Sequence, residues 1–87
     1  MKNFIDPFLY NLPHLDLHGY DRTGACAMIK MFIDDNIRIS EKKIVIVHGK
    51  GSGVLKKATH DYLKNDKRVQ DFKTNNYNDG ETIVNLK

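Results

Sequence analysis

The chain is predicted to be an α/β domain: a two-layer βαβαββ sandwich in which a four-stranded mixed sheet carries two helices. Three observations lead there. Two short apolar segments, Leu15-Asp16-Leu17 and Ile44-Val45-Ile46-Val47, each run into His-Gly and then into a stretch with helical spacing of apolar residues. Strand–helix–strand units of this kind pair in parallel through right-handed crossovers. Beyond the second helix, two strand-like segments flank an Asn/Asp/Gly-rich stretch and read as an antiparallel hairpin, which makes the sheet mixed. At 87 residues the chain has room for one small core.

Residues 1–13 read as an N-terminal arm, with Phe4, Ile5, Phe8, Leu9 and Tyr10 punctuated by Pro7 and Pro13. These side chains are expected to strap across the domain or a partner rather than stack on bases. The domain proper is residues 14–87. A first strand covers His14 to His18, and its period-2 alternation sets Asp16 and His18 on one face, Leu15 and Leu17 on the other. The first helix shows apolar residues at Ala25, Met28, Ile29, Phe32 and Ile33, one buried stripe, with Asp21 or Thr23 as its cap and an exit at Asp34-Asp35-Asn36. A second strand, Lys43 to His48, holds four consecutive apolar β-formers and suits a central position. The second helix starts at Ser52 or Gly53 and repeats the stripe at Leu55, Ala58, Thr59, Tyr62 and Leu63. That leaves Lys56, Lys57, His60, Asp61 and Lys64 mostly outward. A strand from Val69 to Thr74, a loop from Asn75 to Gly80 and a last strand from Glu81 to Leu86 complete the order.

Composition excludes several classes. With 40% apolar and 29% charged residues the chain is globular rather than disordered, and it contains neither a membrane-spanning run nor a signal peptide, so a cytoplasmic setting is expected. The single cysteine, Cys26, cannot form an internal disulfide and reads as helix filler. The net charge of +3 is unevenly spread: Lys42 to Lys73 holds nine Lys/Arg against three Asp, whereas Met1 to Glu41 holds four against six acids. Lys50, Lys56, Lys57, Lys64, Lys67 and Arg68 together suggest a modest nucleic-acid footprint.

The chemistry concentrates at the two His-Gly ends. Parallel strands emerge on the same edge of a sheet, so His18 and His48 are expected to face one crevice with Asp16. His48-Gly49-Lys50-Gly51-Ser52-Gly53, between a buried strand and a helix, has the build of a loop that turns backbone N–H groups toward phosphate oxygens. Gly49, Lys50, Gly51, Ser52, Gly53, Lys56 and Lys57 are accordingly the candidate nucleic-acid-binding residues. The spacing G-x-x-x-x-G-K-[ST] is absent, as is the acidic residue of a dinucleotide fingerprint, so no nucleotide cofactor is expected.

Leu15-Asp16-Leu17-His18-Gly19, His48-Gly49-Lys50-Gly51-Ser52-Gly53-Val54-Leu55 and Gly80-Glu81-Thr82-Ile83-Val84-Asn85-Leu86 together resemble the small MutS-related (Smr) domain family, whose hallmarks are LDLHG, HGKGxGxL and a terminal G-x-T-x-V-x-L strand. The resemblance implies the fold of the C-terminal domain of a bacterial translation initiation factor. It also implies nucleic-acid binding with endonuclease activity, either DNA nicking or RNA cleavage. Carried onto this chain, Asp16 and His18 would be the acid/base or metal-binding pair, with His48 and Lys50 holding the scissile phosphate. A divalent cation, Mg²⁺ or Mn²⁺, is compatible with Asp16, although one carboxylate is thin support for a two-metal site. The chain has Gly24-Ala25 where the family often has Glu-Ala, a change that bears on helix initiation more than on catalysis. No MutS-type ATPase region is present, and Met1 with the arm favours a stand-alone protein over a C-terminal domain of a MutS-like one. The alternative reading is a non-catalytic adaptor that binds nucleic acid or ribosomes through the same basic surface. A protein-interaction module using the aromatic arm would leave the glycine loop unexplained.

Overall fold

A computed structural model describes residues 11–87; the strap expected of Phe4 to Tyr10 lies outside the described residues. The element order is β1 (His14–Asp16), α1 (Arg22–Arg38), β2 (Lys43–Val47), α2 (Val54–Lys64), β3 (Val69–Asn75) and β4 (Asn78–Leu86). The four strands form one sheet in the order β1-β2-β4-β3. β1 and β2 are parallel, with Asp16 beside Val47, and β4 runs antiparallel to both β2 and β3. The returning strand of the hairpin therefore lies in the middle of the sheet, and the charged, alternating β3 takes an edge, where its polar side chains discourage further pairing.

One core joins the layers. Leu17, Ala25, Ile29, Ile33, Ile44, Ile46, Leu63, Val84 and Leu86 form the buried cluster, with Met28, Phe32, Leu55, Tyr62, Val69 and Phe72 packed against it. Val45 and its register partner Ile83 alternate to the other face and are buried there. Buried groups of this kind each contribute roughly 1.5–3 kcal/mol when withdrawn from water. Among the described residues, no helix is long and apolar enough to cross a membrane.

Three element boundaries differ from the sequence expectation by two residues or more, each for a local reason. The first strand ends at Asp16 rather than His18, because Leu17 donates a last hydrogen bond to the Val47 carbonyl and the chain then turns through Gly19, at φ +87°. Helix α1 does not exit at Asp34-Asp35-Asn36 but runs on to Arg38. Asn36 falls on the buried stripe one turn past Ile33, and its amide donates to the Phe32 carbonyl. Asp35 instead lies on the outer face, paired with Arg38, and Asp34 is half-buried between Lys30 and Arg68. Ser40, at φ 65°, supplies the left-handed residue that ends the helix. The loop placed at Asn75 to Gly80 shrinks to the two residues between Asn75 and Asn78. Asn75 uses both ends of its amide, accepting from the Tyr77 N–H and donating to Glu81, while Asn78 accepts from the Gly80 N–H. The Asn/Asp/Gly composition thus serves a tight, irregular hairpin end rather than an open loop.

The Thr59 hydroxyl is the exception to a satisfied interior: it is fully buried on α2 and, among the described residues, has no hydrogen-bond partner. Thr59→Val keeps the shape and removes the unpaired oxygen. It is expected to stabilise the domain by about 1 kcal/mol, read as a higher urea midpoint at unchanged slope.

Candidate functional site

The parallel register that sets Asp16 beside Val47 brings the ends of β1 and β2 together at one edge of the sheet. The two His-Gly turns that follow enclose a cleft of about 400 Å³, lined by Asp16, His18, Gly19, Val47, His48 and Gly49. Asp16 is exposed rather than buried, so it carries no uncompensated desolvation cost, and its carboxylate accepts the His18 backbone N–H at 2.9 Å. That local bond holds the turn while leaving the His18 imidazole exposed beside it.

His48 differs from His18. It is 7% exposed, and its ring is engaged on both sides: Nε2 lies 2.7 Å from the Thr82 hydroxyl oxygen and Nδ1 3.2 Å from the Gly49 carbonyl. Burial pushes its pKa below the ordinary imidazole value, with Lys56 acting in the same direction. His60 on α2 meets the same Thr82 oxygen at 2.8 Å and packs on Phe72 with ring centres 5.0 Å apart. Its pKa is lowered chiefly by burial and then by neighbouring positive charge. The expectation that His60 faces outward is thereby corrected: the side chain turns under the helix to the sheet, where β4 presents Thr82.

The glycine loop is pinned at its base and open above. His48 and Gly49 both donate backbone N–H groups to the Gly80 carbonyl, at 2.9 and 3.0 Å. Gly49 and Gly53 sit at φ +80° and +87°, conformations that disfavour any side chain. Gly53 is the cap of α2, and the Ser52 hydroxyl accepts the Val54 N–H at 3.4 Å. Lys50, Gly51, Ser52 and Gly53 are all exposed. Lys50 has Asp79 within 3.8 Å, a solvent-exposed pair of little strength. Lys57 pairs with Asp61 along the helix, and Lys56 is half-buried. Of the wider basic set, Lys64 and Lys67 are exposed, but Arg68 does not belong to a free cationic surface, since its guanidinium is engaged by Asp34 and Asp66. Among the described residues no three His, Cys, Asp or Glu side chains are grouped to hold a metal ion. Among the described residues, Asp16 and His18 are the two donors open at the cleft, fewer than a protein-built divalent-cation site requires.

Gly80, Thr82 and His60 are the residues sequence reasoning did not assign to the site. Thr82 had a signal, since it alternates with Val84 and Leu86 on the inward face of the last strand. Gly80 carries a steric requirement: a Cβ there would lie 3.2 Å from the Gly49 carbonyl carbon and 3.2 Å from Lys50 Cγ. Gly80→Ala is expected to displace the glycine loop and cost about 1–3 kcal/mol, measured by denaturant unfolding, with shifted amide resonances confined to residues 48–53 and the hairpin.

A family model described as the Smr domain matches residues 15–87. Over 76 residues the chain is 40% identical to the endonuclease MutS2 of Clostridium botulinum (strain Eklund 17B / Type B), a match covering 84% of this chain and 10% of that protein. The endonuclease MutS2 of Finegoldia magna is 39% identical over 76 residues with the same coverage. The chain thus spans about a tenth of the length of the curated relatives it matches. Among solved structures, the Smr domain of Thermus thermophilus MutS2 superposes with a TM-score of 0.84 at 26% identity, over 87% of this chain and 99% of that one. YdaL, a stand-alone small MutS-related protein from Escherichia coli, superposes with a TM-score of 0.81 at 16% identity, over 99% of this chain and 79% of that one, a likeness of fold.

Proposed function

The chain belongs to the Smr domain family, and from that premise we propose that it binds nucleic acid and cleaves phosphodiester bonds at the cleft between its two His-Gly turns. The observation that carries this reading is the presence of an exposed carboxylate and an exposed imidazole, Asp16 and His18, in the same cleft as the head of the glycine loop. Simple phosphate binding has use for the glycines and for Lys50 but none for a carboxylate beside them. The name borne by the relatives, endonuclease MutS2, supports the same reaction class.

In the proposed reaction the phosphate rests against Lys50 and the amides of Gly51, Ser52 and Gly53, at the positive end of α2, while the Gly49 amide stays on the Gly80 carbonyl and holds the base of the loop. Asp16 and His18 act as the proton-transfer pair, removing a proton from water or from an RNA 2′-hydroxyl and returning one to the leaving oxygen. As the nucleophile adds, charge grows on the non-bridging oxygens, where Lys50 and the loop amides stabilise it. His48, at the head of the loop, serves the phosphate side. Lys56, Lys57, Lys64 and Lys67 add salt-sensitive contacts to flanking phosphates, each steepening log K against log salt by about 0.7–0.9.

The test is cleavage of labelled single-stranded RNA, linear duplex DNA and supercoiled plasmid by the purified protein in Mg²⁺, Mn²⁺ or EDTA. Product from at least one substrate is expected. Salt-sensitive binding without product would move the assignment to a non-catalytic adaptor, and neither binding nor product would remove it.

A further inference from the structure

The Thr82 hydroxyl lies between two imidazoles, 2.7 Å from His48 Nε2 and 2.8 Å from His60 Nε2. One hydroxyl carries one proton, so it can donate to only one of them. The remaining protons follow from the Gly49 carbonyl, which can only accept. His48 Nδ1, facing it at 3.2 Å, carries the His48 proton. In a neutral imidazole Nε2 is then bare and takes the Thr82 proton, and the Thr82 oxygen in turn accepts from His60 Nε2–H. Every donor in the chain from His60 to Thr82 to His48 to Gly49 has one acceptor, with none left over.

We propose that His60 is a positioning residue of the cleft: through the Thr82 hydroxyl it locks His48 as the Nδ1–H tautomer, which clamps the Gly49 carbonyl and holds the glycine loop in its phosphate-receiving form. This rests on the phosphate-binding reading of that loop. It gives His48 a defined task, since both its ring nitrogens are spent inside the protein and it meets the ligand through the backbone it holds. The arrangement also resists a second proton on His48. An Nε2–H there would put two N–H donors against the Thr82 oxygen and strand the hydroxyl proton in a buried site. Protonating His60 at Nδ1 leaves the chain intact. The surrounding charges are Lys56, Lys64 and Asp61 on α2 and Asp79 and Glu81 on the hairpin.

The three elements that meet here are distant in sequence: the end of β2, the middle of α2 and the centre of β4. A perpendicular contact between the His48 and His60 rings, with centroids 6.0 Å apart, and the seat of His60 on Phe72 fix the geometry from both sides. A glycine loop has little rigidity of its own, and holding it in one conformation before the ligand arrives removes part of the ordering cost of binding.

The experiment is ¹⁵N–¹H correlation of the imidazole nitrogens at neutral pH in the whole protein, with affinity for a labelled oligonucleotide measured alongside. Wild type is expected to show His48 protonated on Nδ1 and His60 on Nε2. His60→Leu and Thr82→Val should convert His48 to a mixture of tautomers and weaken oligonucleotide binding about three- to tenfold, the equivalent of one hydrogen bond. His60→Gln, whose amide N–H stands where Nε2–H stood, should restore the single tautomer and bring affinity to within about twofold of wild type. His48 protonated on Nε2 in wild type would overturn the proposal, as would a His48 tautomer unmoved by His60→Leu. An oligonucleotide that fails to bind wild type would count against the function reading alone, because the tautomer measurement decides the relay without it.

Discussion

Asp16→Ala is expected to lower phosphodiester cleavage by about 10²–10⁴-fold, the usual worth of a positioned proton-transfer group, with oligonucleotide affinity within about twofold of wild type. The separation follows from where the carboxylate stands. Asp16 is exposed at the cleft and, among the described residues, is bonded to the His18 amide two residues on, so its removal touches neither the core nor the basic loop. Lys50→Ala should behave differently and weaken binding and cleavage together, because the phosphate contact proposed for its ammonium would be made in ground and transition states alike. Its competitor in the free protein is Asp79, and that exposed pair is too weak to hold it back. Wild-type turnover by Asp16→Ala would remove the carboxylate from the mechanism. A parallel loss of affinity would make it a binding group instead.

The second large effect is on stability. The Asp66 side chain is 7% exposed and accepts four hydrogen bonds: from the Tyr62 hydroxyl at 2.8 Å, from the Arg68 backbone N–H at 2.9 Å, and from Arg68 Nε and Nη2 at 3.0 and 2.8 Å. Arg68 also reaches Asp34, so this one cluster ties the far end of α1 to the α2–β3 connection. Asp66→Asn keeps the size but replaces an acceptor oxygen with a donor facing donors. It is expected to cost about 2–3 kcal/mol, which in a domain of this size lowers Tm by roughly 10–20 °C.

The same carboxyl sets an acid limit. Arg68 holds Asp66 well below its ordinary value of 3.8, the value it regains on unfolding. The stabilisation is complete above the unfolded value and drains away as pH falls from there toward the folded one. Wild type should therefore lose stability on acidification from about pH 5, and Asp66→Asn should lose less over that range; acid unfolding curves that stay parallel would exclude Asp66 as the group responsible. At the other end, the Tyr62 phenol, raised to about 12 by burial and by Asp66, keeps its proton in the folded chain beyond the pH at which a free phenol gives it up.

Much of the fold was written in spacing. The β-branched run before His48 could only be an inner strand, and two apolar stripes with helical period set both helices against one face. The meeting of the two His-Gly turns was also legible, because parallel strands end on the same edge whatever lies between them. Where the reading went astray, the partner a polar side chain finds after folding decided the outcome. Asp34-Asp35-Asn36 is polar enough to suggest an exit, yet Asn36 is one turn past Ile33 and its side chain serves the helix it was expected to leave. Arg68 counts as one more basic residue until Asp34, on another element, is brought against it.

The sequence by itself determined the order of elements, the buried stripes, the family motifs and the clustering of Asp16, His18 and the glycine loop at one sheet edge, since all of these depend on residue type and short-range period. Only the tertiary structure decided that β4 lies between β2 and β3. That placement puts Thr82 within reach of both His48 and His60 and sets the Gly80 carbonyl beneath the glycine loop. Hydrogen bonds between elements answer to the distance and angle of a few atoms after packing, and a pattern of residue types along one chain carries no record of them.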